Sequence, residues 1–157
     1  MSHILGGKLN ANDNNIINVG DPFLQQDAVN LRTLNDYVNT AVYSPYIAGE
    51  DIPSFTVVAL YNNLLYKADR TNMNHLHNVI GLTLTSVTTG NVVNTIKEGV
   101  TGFLGWGLIA GNHYFLSDIP GQLTITKPIS TGFNQIIGFS QNSNALLVLQ
   151  REPILTE

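Results

Sequence analysis

Beyond Ile47 the sequence is cut into short apolar runs by turn residues, too closely spaced for a helix to cross between them. "FTVVAL" and "LLYKA" flank Tyr61-Asn62-Asn63, which reads as a hairpin turn. "VIGLTLTSV" is followed by Thr89-Gly90-Asn91 and then "VVNTI", "HYFLS" leads through Pro120-Gly121 into "QLTIT", and "QIIGFS" and "ALLVLQ" flank Asn142-Ser143-Asn144. Runs rich in β-branched residues, with a turn every 8–12 residues or so, predict a β-sandwich or barrel. Parallel neighbours would need crossover connections of a dozen or more residues, so the sheet is predicted to be antiparallel.

Within these strands there is an echo. Asn78-Val79-Ile80-Gly81-Leu82-Thr83 resembles Asn134-Gln135-Ile136-Ile137-Gly138-Phe139-Ser140, and Ala48-Gly49 precedes one copy as Ala110-Gly111 precedes the other. Each glycine suits a bulge or a close backbone approach. Two matching halves and chance similarity among short strands both fit.

The first part of the chain reads differently. Residues Met1 to Asp21 are polar, with Ile16, Ile17 and Val19 set among asparagines that tolerate turn geometry. Pro22 biases Asp21 toward extended chain. Asp27 is a credible N-cap for a helix over about residues 27–42, stopped by Ser44-Pro45. The expected organisation is an N-terminal arm and helix over residues 1–45 and a β domain over 46–157. In the helix Leu31, Leu34, Val38 and Ala41 alternate in steps of three and four, the spacing of a coiled-coil seam. Burying Leu31, Leu34 and Val38 gains roughly 1.5–3 kcal/mol each, while ordering the segment costs on the order of 1–2 kcal/mol per residue before helix hydrogen bonds offset part of it. The helix therefore needs a partner surface, either its own β domain or the same helix in sister chains.

Composition bounds the partners. Only 11% of residues are charged, against about 25% in ordinary globular proteins. A polar but weakly self-repelling surface suits contact with other subunits, though an ordinary uncharged β domain would look similar. The net charge is −4 and seven Lys and Arg are thinly spread, so no basic stripe exists to neutralise phosphates and nucleic acid is not an expected partner. There is no cysteine for disulfides or thiolate metal sites. No apolar run approaches the ~20 residues of a membrane span, the nearest being the glycine-broken "TGFLGWGLIAG", and "MSHILGGKLN" lacks the apolar core of a signal peptide. No membrane insertion is expected.

The series Leu9-Asn10, Asn14-Asn15-Ile16, Asn18-Val19, Asp21-Pro22, Gln26-Asp27-Ala28-Val29, Leu34 and Tyr37-Val38 resembles the stalk motif of bacteriophage tail-fibre proteins. The resemblance spans about a fifth of the chain. It departs from the family in having one copy, with Leu31-Arg32-Thr33 where lysines are usual. It implies a homotrimer, with Ile16, Val19, Leu31, Leu34 and Val38 at the oligomer interface, and a location on the virion, in the tail or on the capsid surface, among other virion proteins. The remaining strands are similar in general layout to small β domains of phage fibres and decoration proteins.

Chemistry is sparse. In "NMNHLHN", His75 and His77 would point the same way if extended. Around a trimer axis three such pairs would offer six imidazoles to a transition metal, and a solvated loop is the bland alternative. No Gly-x-Ser-x-Gly elbow occurs, and Glu50, Asp51, Asp69, Glu98 and Asp118 are scattered, so an enzyme is not expected. No glycine-rich phosphate loop opens a helix, and no organic cofactor is expected. Aromatic residues are the better recognition candidates. Tyr61, Tyr66, Phe103, Trp106, Tyr114 and Phe133 are candidates for sugar stacking, Trp106 most of all between the glycines of "FLGWGL", with core packing as the alternative. The expected function is a homotrimeric fibre-type virion subunit presenting a β domain to a host surface glycan or protein. The alternatives are a capsid decoration or head-fibre protein stabilising the shell, and a small carbohydrate-binding or carbohydrate-active module.

Overall fold

The computed structural model describes residues 42–156. The chain divides into two units, residues 1–39 and 40–157, and the described residues all belong to the second. The expected arm, most of the helix over 27–42, and the interface positions Ile16, Val19, Leu31, Leu34 and Val38 lie outside the described residues.

The described residues are mainly β: β1 (Val42–Ile47), β2 (Val57–Tyr61), β3 (Leu64–Lys67), a single 3-10 turn (Met73–His75), β4 (Val79–Thr83), β5 (Val92–Gly102), β6 (His113–Leu116), β7 (Leu123–Thr124), β8 (Gly132–Asn134), β9 (Ile136–Asn142), β10 (Ala145–Leu149) and β11 (Ile154–Thr156). One antiparallel sheet runs β3-β2-β4-β5-β10-β9-β6-β7 with β1 added against β5, and β11-β8 form a small second sheet. The sheet is a curled half-barrel rather than two stacked layers.

Two expectations are corrected here. Val42 opens strand β1 instead of ending a helix, and Pro45 lies inside that strand opposite Asn94. Proline is tolerated because β1 pairs with β5 on one side and meets β3 on the other only at the Ala48–Leu65 bridge. The run "QLTIT" yields only the two-residue β7. The Thr124 hydroxyl accepts the Thr126 N–H at 3.1 Å, diverting the backbone from the ladder.

The echo in the sequence is a repeat in the structure. Reading inward from its two ends, the sheet presents β3, β2, β4, β5 and β7, β6, β9, β10. In β4, Val58 faces Gly81 and Ala59 faces Val79, so Ile80 is the extra residue of a bulge. In β9, Tyr114 faces Gly138 and Phe115 faces Ile136, so Ile137 is extra in the same way. Each bulge is followed by a glycine on which another strand's backbone presses: a Cβ on Gly81 would strike the Ile96 carbonyl oxygen, and one on Gly138 would lie 2.6 Å from that of Leu147.

Two residues beyond each glycine sits a fully buried hydroxyl. Thr83 Oγ1 accepts the Thr56 N–H at 3.4 Å and reaches the Pro53 carbonyl at 3.2 Å, while the Thr83 N–H donates to the Thr56 carbonyl at 2.9 Å. Ser140 Oγ accepts the Asn112 N–H at 3.2 Å and donates to the Ile109 carbonyl, while the Ser140 N–H donates to the Asn112 carbonyl at 2.9 Å. The Leu60 N–H to Asn78 carbonyl bond at 2.9 Å is likewise matched by Leu116 to Gln135 at 3.0 Å.

Alternation along these strands produces two cores. Val57, Leu82, Ile96, Leu116, Phe133, Ile137, Leu146 and Val148 belong to the larger. Ala48, Ile52, Val58, Leu65 and Val93 form the smaller, enclosed where β1, β5, β4, β2 and β3 curl until Ala48 meets Leu65. Valine pair Val57 and Val58 serve one core each, as a period of two requires.

Arg70 is the largest fully buried side chain. Its Nε donates to the Phe133 carbonyl at 3.0 Å, Nη1 to Asp118 Oδ1 and Ser130 Oγ at 2.6 Å each, and Nη2 to the Ser130 carbonyl at 2.8 Å and Thr156 Oγ1 at 3.1 Å. A guanidinium is buried at tolerable cost only with its donors satisfied. Here it ties β8, β11 and the chain around Asp118 to the segment after β3. Ser130 and then Arg70 hold the Asp118 carboxyl below its usual range.

The duplicated hydroxyls make a test. Thr83→Val and Ser140→Ala each strand buried backbone groups, and each is expected to cost about 1–3 kcal/mol in urea unfolding. The two costs are expected to add, since the sites share no bonding partner.

Candidate functional site

The β2–β3 hairpin builds one wall of the best-furnished cleft. Asn62 and Asn63 have φ of 49° and 61°, the left-handed pair of a two-residue hairpin turn that asparagine accepts at low cost. Tyr66 pairs with Ala59, and Tyr61 lies two residues beyond Ala59, so both tyrosines occupy one face. Tyr66 is seated over Gly49, where a Cβ would fall 2.5 Å from its Cζ. The glycine is needed for the ring to lie on the backbone.

Beside the tyrosines, Glu50 is held twice by Lys67: Oε1 accepts the Lys67 N–H at 2.7 Å, and Oε2 lies 3.1 Å from Nζ. Across from them, Asp69 Oδ1 accepts the Thr71 N–H at 2.8 Å and hydroxyl at 2.7 Å. Asn72 caps the 3-10 turn that carries His75. With Pro120 these residues bound a cleft of about 480 Å³.

His75 is buried, and its Nδ1 accepts the Asp69 N–H at 3.0 Å. Only a neutral ring can do this, and that bond places the remaining proton on Nε2. Burial, partly opposed by Asp69 and Glu50, lowers its pKa from the ordinary 6.5. His77 has φ 63°, is exposed, and lies 3.5 Å from Glu152 Oε2. The side-by-side pair expected of an extended segment does not form, because the 3-10 turn sends the two rings apart. No group of three or more metal-ligating side chains occurs among the described residues.

The other sequence candidates separate. Tyr114 belongs to the larger core, and its hydroxyl accepts the Ile109 N–H at 2.8 Å, so it offers no ring to a ligand. Phe133 is fully buried. Trp106 is half-buried against the larger core and stacks on Phe55 at 5.1 Å, while Phe55 meets Phe103 at 4.6 Å. Phe55 has φ 58°, an unusual value for a bulky residue. The sequence reads Phe55 as the start of a strand, although Pro53-Ser54 before it are turn residues. The turn asparagines serve the backbone: Asn112 donates to the Ile109 and Ala110 carbonyls, and Asn142 accepts the Asn144 N–H.

A second hollow, of about 570 Å³, lies beside Asp51 and Thr88. Its lining holds one carboxylate and no aromatic ring; Asp51 Oδ1 accepts the Thr89 N–H at 2.8 Å and hydroxyl at 3.0 Å, which lowers its pKa. The tyrosine cleft is the better candidate, combining two rings with carboxylates, an ammonium, an amide and an imidazole. Sequence reasoning singled out Tyr61 and Tyr66 for one site and His75 for another. It had no means of joining them to Glu50, Lys67, Asp69 and Asn72, which approach one another only through the hairpin and the 3-10 turn.

Because His75 is neutral and buried when folded, the unfolded chain binds its proton first. Stability is expected to be complete above pH 6.5 and to decline as pH falls below that value. Asp51 and Asp118 add their own losses only near and below 3.8. Urea midpoints measured from pH 8 downward check this, and His75→Gln should flatten the upper part of the decline.

No protein-family model matches the chain, and no curated protein matches it.

Proposed function

We propose that the chain is a structural subunit of a tailed-bacteriophage virion: a homotrimeric fibre-type protein that assembles through the residues preceding β1 and offers its β domain to the host surface. The observation that carries this reading is the ordered series from Leu9 to Val38, with Ile16, Val19, Leu31, Leu34 and Val38 spaced for burial between sister chains. The composition agrees, since a chain with only 11% charged residues is suited to lie among other virion proteins. The β domain suits contact rather than catalysis. Glu50 is ion-paired to Lys67, and Asp69 is bonded to its own turn. Attachment through three copies of a weak site gains strength from avidity without further contacts.

Light scattering is expected to give three times the mass of one chain. Leu34→Asp would place like charges in the seam and is expected to reduce that mass to a single chain. A parent protein that is already monomeric would overturn the reading. Imaging of purified particles is expected to find the protein on the virion exterior.

A further inference from the structure

We infer that the cleft between Tyr61, Tyr66, Glu50, Asp69, Asn72 and His75 is a binding site for a neutral saccharide, an uncharged pyranose rather than a sialylated or phosphorylated sugar. The inference rests on the attachment reading and narrows it to one cleft and one ligand class.

The aromatic component comes first. Tyr61 and Tyr66 share a strand face, and Tyr66 is immobilised over Gly49. Tyrosine offers a rigid amphipathic surface at low entropic cost, and the apolar C–H face of a pyranose is a surface that such a ring covers. An exposed ring on a two-strand hairpin contributes little to folding. Tyr61 is 38% exposed and has no hydrogen bond among the described residues.

The polar component selects the ligand. A sugar hydroxyl both donates and accepts, so its site needs both kinds of group. The Asp69 carboxylate and Glu50 accept, whereas the Lys67 ammonium donates, as do the Asn72 amide and His75 Nε2–H, whose nitrogens face each other at 3.4 Å. An anionic ligand would require a cation that is free to meet it. The only lysine here is 3.1 Å from Glu50 Oε2, and with Asp69 added the formal charge of the cleft is negative. An ammonium ligand would require acceptors alone, and the donors at Lys67, Asn72 and His75 oppose it. Preorganisation is already present. Glu50 is fixed by Lys67, Asp69 by Thr71, and His75 by the Asp69 N–H, so little side-chain freedom is lost on binding.

Saturation-transfer NMR on the full-length protein tests this with the methyl pyranosides of glucose, galactose and mannose. N-acetylneuraminic acid, glucose 6-phosphate and tetramethylammonium provide the charged comparisons. At least one neutral pyranoside is expected to receive saturation and to bind about tenfold more tightly than any charged compound. Tyr61→Ala, at an exposed position, and Asp69→Asn, whose remaining oxygen can keep the Thr71 bonds, should each weaken that binding about tenfold while the protein stays folded by circular dichroism. Absence of transfer to every neutral pyranoside, a preference for the anions or for tetramethylammonium, or undiminished binding in both variants would overturn the inference. A trimer that binds no sugar would sink this site and leave the assembly reading standing, whereas a sugar-binding monomer would do the reverse.

Discussion

Two buried hydroxyls hold the sheet in its curl. Three residues past the bulged Ile80 and Ile137, Thr83 and Ser140 each bond both an N–H and a carbonyl of the segment entering the neighbouring strand, Pro53–Thr56 in one half and Ile109–Asn112 in the other. A bulge increases local twist but leaves ladder groups without partners. A short side-chain hydroxyl, able to donate and accept at once, satisfies both groups of the entering segment inside a dry core. Gly81 and Gly138 are the companion constraint, since a side chain at either would collide with the backbone of the neighbouring strand. Remove either feature and the strand could not bend where it does.

That constraint, imposed twice, accounts for the architecture. Each half contributes a hairpin, a bulged strand and a further strand, and the halves join where β5 meets β10. The halves have diverged between their hairpin and bulged strand. The first places the 3-10 turn and His75 there, and the second places β8, which pairs with β11. Arg70 reaches from the first of these connections into the second, so the divergent parts are bound to each other as firmly as the repeated parts are.

The same divergence makes the cleft. The first half's hairpin carries Tyr61 and Tyr66, and its 3-10 turn brings Asn72 and His75 back beside them. In the second half the corresponding hairpin ends in the two-residue β7, with its hydroxyls spent on its own turn. The repeat spends one copy on structure and opens the other to solvent.

How far the sequence alone reached can be read from particular residues. Asn62-Asn63 announced its hairpin because left-handed backbone is a local property that asparagine supplies, and Asn142-Ser143-Asn144 announced its own because the Asn142 side chain accepts the N–H two residues on. Short apolar runs bounded by turn residues, such as "FTVVAL" and "ALLVLQ", announced the strands, and the spacing between runs excluded parallel pairing; both signals lie within a few residues of one another. The match between Ile80-Gly81 and Ile137-Gly138 was visible as letters, but its meaning as a paired bulge required the partner strands. Pro45 misled because a proline's effect depends on whether its missing N–H faces a neighbour, and β1 has a nearly free side. His75 and His77 misled for a related reason, since an extended reading ignored the turn that Asn72 caps. Tertiary structure alone decided that Tyr114 is core, that Arg70 is buried, and that Glu50, Tyr61, Asp69 and His75 face a common space. Contacts between residues far apart in the chain carry no local signature, and it is these contacts that settle which polar groups are already satisfied and which remain to meet a ligand.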